Sequence, residues 1–254
     1  MRFASLGSGS EGNCLVVEVG QTRVLIDCGF RVRDTVARLL RLGITPESIT
    51  AILVTHEHSD HVGGVAAFAT RFRIPVWLTF GTLEMVGERF SQMERVYGFD
   101  SHDAFAIGML EVRPFPVPHD AREPVQYVFE DARSRLGLLT DIGRSTPHVI
   151  GALAGLTALV LEANHDRSLL AEGNYPPSLK RRIGGDFGHL ENQAAAAILQ
   201  SLDRARLHTV VAAHLSRQNN RAELARLALA TVLGCAPDTV PVADQDSGCT
   251  WMHA

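Results

Sequence analysis

Long apolar runs are missing from this chain of 254 residues. None reaches the roughly eighteen residues a bilayer-spanning helix requires, which argues against a membrane partner. The first residues, Met1-Arg2-Phe3-Ala4-Ser5-Leu6, lack the basic and long apolar regions of a signal peptide. Cysteine is sparse: Cys14, Cys28, Cys235 and Cys249 are scattered with no C-x-x-C spacing. They read as small buried or half-buried thiols rather than a disulfide framework, and the chain as cytoplasmic. Lysine is nearly absent, Lys180 being the single one among 24 basic residues, which reflects coding bias more than function. No excess of positive charge exists either. A net charge of −4 gives no global pull toward nucleic acid, although it leaves room for a local basic groove. Low-complexity linkers and residue-level repeats are absent too. What remains, at 46% hydrophobic and 20% charged content, is a chain able to bury a large core.

Its patterning alternates. Arg2-Leu6, Leu15-Val19 and Arg23-Asp27 read as short strands, with a tight turn at Gly20-Gln21. From Arg31 to Leu42 apolar residues recur with helical spacing and stop at Gly43, a helix with its C-cap. A strand through Ala51-Ile52-Leu53-Val54 is followed by a helix over 61–71, a strand around 75–78 and a helix near 82–89. Residues 104–139 are strand-rich, with strands at 110–117, 125–130 and 135–139. Beyond them come a strand at 158–162, helices at 166–172 and 191–202, and a strand at 209–213. A helix at 221–233, capped by Asn219-Asn220, leads to terminal strands near 239–242 and 249–252. Periodicity alone gives an α/β chain; strands flanked by helices in both halves fit two packed sheets with helices outside.

The chemistry concentrates in Thr55-His56-Glu57-His58-Ser59-Asp60-His61. In extended chain His56 and His58 are two apart, so both imidazoles leave on one side. Asp60 stands where an N-cap is expected, with His61 in the first helical turn. Three imidazoles and a carboxylate folded onto one small volume suit zinc, iron or manganese better than calcium or magnesium. Three further candidates end expected strands: His119 after Val117-Pro118, Asp141 after Leu138-Leu139-Thr140, and His214 after Val211-Ala212-Ala213. A strand end holds a side chain rigidly while leaving it open. Taken singly, each is more often a surface or core histidine or a turn-forming aspartate.

His-x-His-x-Asp-His after a hydrophobic strand resembles the signature of the metallo-β-lactamase-fold hydrolases. That resemblance implies a four-layer αββα sandwich, with residues 1–254 as one domain. It implies two divalent ions, Zn or Mn. His56, His58 and His119 would hold one, Asp60, His61 and His214 the other, with Asp141 bridging. A hydroxide between the ions would attack a phosphodiester. Asp27 would orient a ligand histidine or simply end its strand.

Five stretches in order narrow the resemblance to the YycJ/WalJ-type nucleases. They are Ser8-Gly9-Ser10-Glu11-Gly12-Asn13, Glu162-Ala163-Asn164-His165-Asp166, Tyr175 to Ile183, Gly188-His189-Leu190-Glu191-Asn192, and His214 to Asn220. Ala163 stands where serine is usual. The implied activity is 5′-to-3′ exonucleolytic hydrolysis of nucleic acid, DNA by preference. Asp60, His189 and Glu162 carry catalysis, His189 as the acid and Glu162 as the group that orients it. Ser8, Ser10, Asn13, His165, Lys180, Arg181 and Arg182 form the substrate-binding set. Read from the residues alone, the Ser/Gly loop is equally a connecting turn, and the basic run a solvated helix end. The alternative is a small-molecule cyclic phosphodiesterase, for which extra metal-binding cysteines or an acidic pocket loop would speak; neither is present. Oligomeric state is left open.

Overall fold

The computed structural model describes residues 1–254. The chain first runs through β1 (Arg2–Gly7), β2 (Cys14–Val19), β3 (Thr22–Ile26), α1 (Val32–Arg41), β4 (Ala51–Leu53), α2 (Ser59–Val62), α3 (Val65–Phe72), β5 (Val76–Thr79), α4 (Phe80–Val86) and β6 (Val96–Phe99). A second group follows: β7 (Phe105–Ile107), β8 (Leu110–Pro116), β9 (Val125–Glu130), β10 (Arg135–Leu139), α5 (Pro147–Ala152), β11 (Ala158–Glu162), α6 (Arg167–Glu172), α7 (Pro177–Ile183), α8 (Asn192–Ser201), β12 (Thr209–Ala213) and α9 (Ala222–Leu233). Strand β13 (Cys249–His253) then returns to pair with β1. One sheet has the order β13-β1-β2-β3-β4-β5-β6 and the other β12-β11-β10-β9-β8-β7. No helix is long and apolar enough to cross a membrane.

Alternation along the strands builds three apolar layers. Leu15, Val17, Val24, Ile26 and Leu53 face Tyr127, Phe129, Leu136, Leu138 and Val160 between the sheets. The alternate residues Val16, Leu25 and Ile52 face outward onto Leu39 of α1 and Phe68 of α3. On the far side, Leu159 and Leu161 pack against Ile198 and Leu199 of α8 and Leu229 of α9. The four-layer αββα sandwich expected from the resemblance is the fold observed.

Topology makes the site. Strands β3, β4 and β5 pair in parallel, as do β10, β11 and β12. Their C-terminal ends therefore open along one rim, the usual place for chemistry in parallel sheets. The residues following β3, β4, β10 and β12 are Asp27, the Thr55–His61 loop, Asp141 and His214. Three of these, Asp27 (φ 61°), Asp141 (φ 49°) and His214 (φ 55°), take left-handed backbone conformations, a state shared among non-glycine residues only with Arg73. Such strain gathers where a side chain must be aimed.

Several expectations are corrected. The helix expected over 61–71 is two helices, α2 and α3, broken at Gly63-Gly64; a side chain on Gly64 would overlap the Phe30 carbonyl oxygen. Asp60 is not the N-cap. That position belongs to His58, which leaves the Asp60 carboxylate free to face His61. Arg221, not the Asn pair, occupies the N-cap position of α9 without a side-chain capping bond, while Asn220 bonds reciprocally with Asn192. No strand forms at 239–242: a 3₁₀ turn over Pro237–Thr239 and a single bridge from Val242 to Ala212 replace it. Cys235 is exposed. The helix near 82–89 begins earlier, at Phe80, and ends in a 3₁₀ turn over Gly87–Phe90.

Candidate metal centre

Seven side chains converge at that rim, and an outer partner fixes each imidazole. Asp27 accepts from Thr55 twice, from the backbone N–H at 2.8 Å and the hydroxyl at 2.9 Å. Because that hydroxyl proton is committed to Asp27, the Thr55 oxygen accepts from His56 Nδ1 at 2.9 Å. His61 Nδ1 donates to Asp27 at 2.8 Å. His119 Nδ1 donates to the Gly188 carbonyl at 3.0 Å, and His58 Nε2 to the Asp120 carbonyl at 3.1 Å. His214 Nδ1 donates to Glu162 at 2.8 Å. Each ring therefore has one nitrogen committed outward and the other, Nε2 in four cases and Nδ1 in His58, left for the interior. Such outer bonds select the tautomer that a metal needs.

The inward atoms are short of partners. Nε2 of His56 and of His214 and Oδ2 of Asp141 are buried with no hydrogen bond. Orphaned buried polar atoms are costly and call for an explanation. Their chemistry, imidazole nitrogen and carboxylate oxygen, fits a divalent cation. The ligand atoms fall into groups whose members lie within 4.8 Å of one another: His56, His58 and His119; Asp60, His61 and His214; and His56, His61 and Asp141. Asp141 approaches both sides, at 3.2 Å from His61 Nε2 and 3.9 Å from His119 Nε2. Those seven could hold two ions.

The electrostatics agree. Burial disfavours the imidazolium of His214, yet Asp141, Asp60 and Glu162 outweigh it and raise the group to about 10. His61 is raised well above its ordinary value against burial, by Asp141, Asp27 and Asp60. Burial, with help from the neighbouring imidazolium of His61, pushes His56 down. Burial opposes ionisation of Asp60 and Asp141 as well, but the surrounding histidines hold both carboxyls far below the usual range. The centre is thus a negative well in which protons take the place of cations, and a metal would displace them.

Glu162 and His189 adjoin this group. His189 Nδ1 donates to Glu162 Oε1 at 2.9 Å, the same oxygen that holds His214. Burial disfavours a charged His189, but Glu162 raises it. The cleft above has a volume of about 370 Å³, and its walls include Ser10, Tyr175, Arg182 and His189. The remaining residues expected at the substrate are distributed differently. Ser8 and Asn13 are buried behind the ligands: Ser8 Oγ donates to Asn13, and the Asn13 amide reaches Asp60 at 3.3 Å and His61 at 3.0 Å. The basic run divides across α7. Arg182 faces the cleft and pairs with Asp120 at 2.5 Å, whereas Lys180, Arg181 and His165 line an adjoining groove that shares His189 with the cleft. Reading the sequence misses Thr55, Gly188 and Asp120 as anchors of ligand rings, since two of them act through backbone carbonyls that carry no sequence signal.

Residues 22–214 match the family described as the β-lactamase superfamily domain. The chain is 35% identical over 235 residues to exodeoxyribonuclease YycJ of Bacillus anthracis, covering 92% of this chain and 89% of that one. It is 31% identical over 242 residues to exodeoxyribonuclease WalJ of Streptococcus pneumoniae, with the same coverage. Among solved structures, the metallo-β-lactamase fold protein YhfI of Bacillus subtilis superposes with a TM-score of 0.77 at 14% identity, over 100% of this chain and 99% of that one. With the sandwich, the rim of histidines and these relatives in agreement, the chain belongs to the β-lactamase superfamily, as a metal-dependent hydrolase.

Proposed function

We propose that this protein is a two-metal phosphodiesterase that hydrolyses nucleic acid, acting as a 5′-to-3′ exonuclease on DNA. The observation that carries the metal requirement is the set of five imidazoles, each bonded outward through one nitrogen and open inward through the other. Nucleic acid as substrate rests on the likeness to YycJ and WalJ over nine-tenths of the chain. His56, His58 and His119 would hold one ion and Asp60, His61 and His214 the other, with Asp141 within reach of both groups. Residues 1–254 act as one domain, because ligands from both sheets are needed together. Two divalent ions, zinc or manganese, supply an activated water and offset charge on the phosphate.

The chain's own residues do the rest. Asp60 anchors an ion, and Arg182 and Ser10 stand on the cleft wall where a phosphate oxygen would approach. His189, committed to Glu162 through Nδ1, keeps Nε2 free to pass a proton to the leaving oxygen. Glu162 raises its affinity for a proton against the opposing effect of burial.

The test is purified protein reconstituted with Mn²⁺ or Zn²⁺, assayed on end-labelled single- and double-stranded DNA beside a ribose cyclic phosphate. Release of nucleotides from the 5′ end is expected; turnover of the cyclic phosphate alone refutes the assignment. Elemental analysis should give two ions per chain, and Asp60→Ala should lose one of them together with turnover while remaining folded. His189→Ala should lose a factor of about 10²–10⁴ on DNA, and much less on a nitrophenyl ester whose leaving group needs no proton. Equal losses on both substrates would leave His189 a phosphate binder.

A further inference from the structure

Helix α7 has two walls. Leu179, Arg182 and Ile183 face the metal cleft, while Lys180, Arg181 and Gly184 face a second groove of about 480 Å³. His189 borders both, so the groove continues the cleft past the proposed proton donor. His165 and Arg167 stand on the opposite wall, and Glu191 is the one acidic residue of the lining.

Two observations mark this groove as built for an anion. Arg167 and Arg181 have no acidic partner, unlike Arg182 across the helix, and the Lys180 ammonium is held only by the Ala171 carbonyl at 2.6 Å. His165 is 97% buried (3% exposed), and its Nδ1 has no hydrogen-bond partner. A buried N–H without an acceptor is rarer and costlier than a lone pair without a donor. The ring proton therefore belongs on Nε2, which lies 4.0 Å from the position a Cβ on Gly184 would take. Burial also lowers His165 to about 4, so the ring is neutral and offers that single N–H. The neighbouring cations supply the charge.

We propose that this groove is a second phosphate subsite, taking the phosphate next to the scissile one on the same strand, with His165 as N–H donor and Arg167, Lys180 and Arg181 as counter-charges. The subsite rests on the nuclease reading and extends it: it gives the enzyme a reason to prefer a strand over a single phosphodiester. It also gives the two halves of the basic run different jobs, Arg182 at the scissile group and the other two one phosphate away.

The test compares kcat/KM of the metal-loaded enzyme on a short thymidylate oligonucleotide with kcat/KM on nitrophenyl thymidine 5′-phosphate, which has one phosphate only. It uses the double variant Arg167→Ala/Arg181→Ala and, separately, Ala194→Glu, which places a negative charge on the groove wall. The ratio of the two constants should fall at least tenfold in both variants, and the log–log salt slope of oligonucleotide binding should flatten by about 0.7 per lost phosphate contact. Taking a ratio cancels any general loss of folded enzyme. A ratio within twofold of the parent's overturns the subsite. Parent enzyme that hydrolyses the nitrophenyl ester but no oligonucleotide refutes the nuclease reading, and the subsite with it.

Discussion

Replacing Glu162 by glutamine tests how the centre is held together. Its carboxylate is buried and accepts from five donors. Oε1 takes His189 Nδ1 at 2.9 Å, His214 Nδ1 at 2.8 Å and the Asp141 N–H at 3.2 Å. Oε2 takes the N–H groups of Ile142 at 3.2 Å and Leu190 at 3.0 Å. A glutamine has the same shape but only one acceptor oxygen. Whichever way the amide turns, its NH₂ faces at least two donors that then lose their acceptor. At about 1–3 kcal/mol for each buried group left unsatisfied, Glu162→Gln should cost about 2–6 kcal/mol. Urea unfolding of the metal-free protein at pH 7 measures this. The pH dependence has a definite sign. Burial opposes ionisation, but His189 and His214 pull Glu162 down to about 2, below its unfolded value near 4.3. Its contribution is present above that unfolded value and lost as pH falls toward about 2, so parent and variant should converge in acid. Stability within about 0.5 kcal/mol of the parent at pH 7, as for an ordinary surface change, would refute the account.

Metal binding at pH 7 should release about two protons per chain, from His61 and His214, whose raised affinities leave them protonated in the metal-free centre. Calorimetry in buffers of different ionisation enthalpy reads the number, and a value near zero would contradict the electrostatics. Gly64→Ala should lower stability by about 1–3 kcal/mol through overpacking against the Phe30 and Cys28 carbonyls, read as a lower Tm; an unchanged Tm would show that the break between α2 and α3 is not sterically imposed.

Legibility in the sequence followed physical range. The strands that became the sheet centres, such as Val24-Leu25-Ile26 and Leu159-Val160-Leu161, are continuous apolar runs and could be read directly. Edge elements could not. Val96–Phe99 pairs only with β5 and contains Gly98, whose bare backbone lies beneath the Phe80 ring. Pro176-Pro177 resembles a loop, yet Pro177 opens α7 as a first-turn proline. Helix α5 carries the same signal, Thr146 capping ahead of Pro147. In the centre, the spacing of His56, His58 and His61 is local and visible. His119, Asp141 and His214 follow strands of the other sheet and are brought to them only by the packing of the two sheets, so family resemblance, not spacing, connects them. The hold of Glu162 on His189 follows from the resemblance, whereas its hold on His214 depends on β11 and β12 lying side by side and carries no sequence signal.

The strained strand ends explain what the loop after β1 does. His214 occupies a left-handed conformation that would relax if its backbone were free. Its N–H donates instead to Ser8 Oγ at 2.9 Å, and its carbonyl accepts from the Asn164 amide at 2.9 Å. Ser8 Oγ in turn donates a hydrogen bond to Asn13 Oδ1 at 3.2 Å, and the Asn13 amide reaches Asp60 and His61. A continuous chain of hydrogen bonds thus runs from the end of β12 in one sheet to the start of α2 beside the other, joining all three residues assigned to one ion. Read by resemblance, Ser8 and Asn13 belong to the substrate; buried and bonded in this way, they are better placed to fix the distance between ligands carried by different sheets. Of that loop, Ser10 alone remains exposed on the cleft wall.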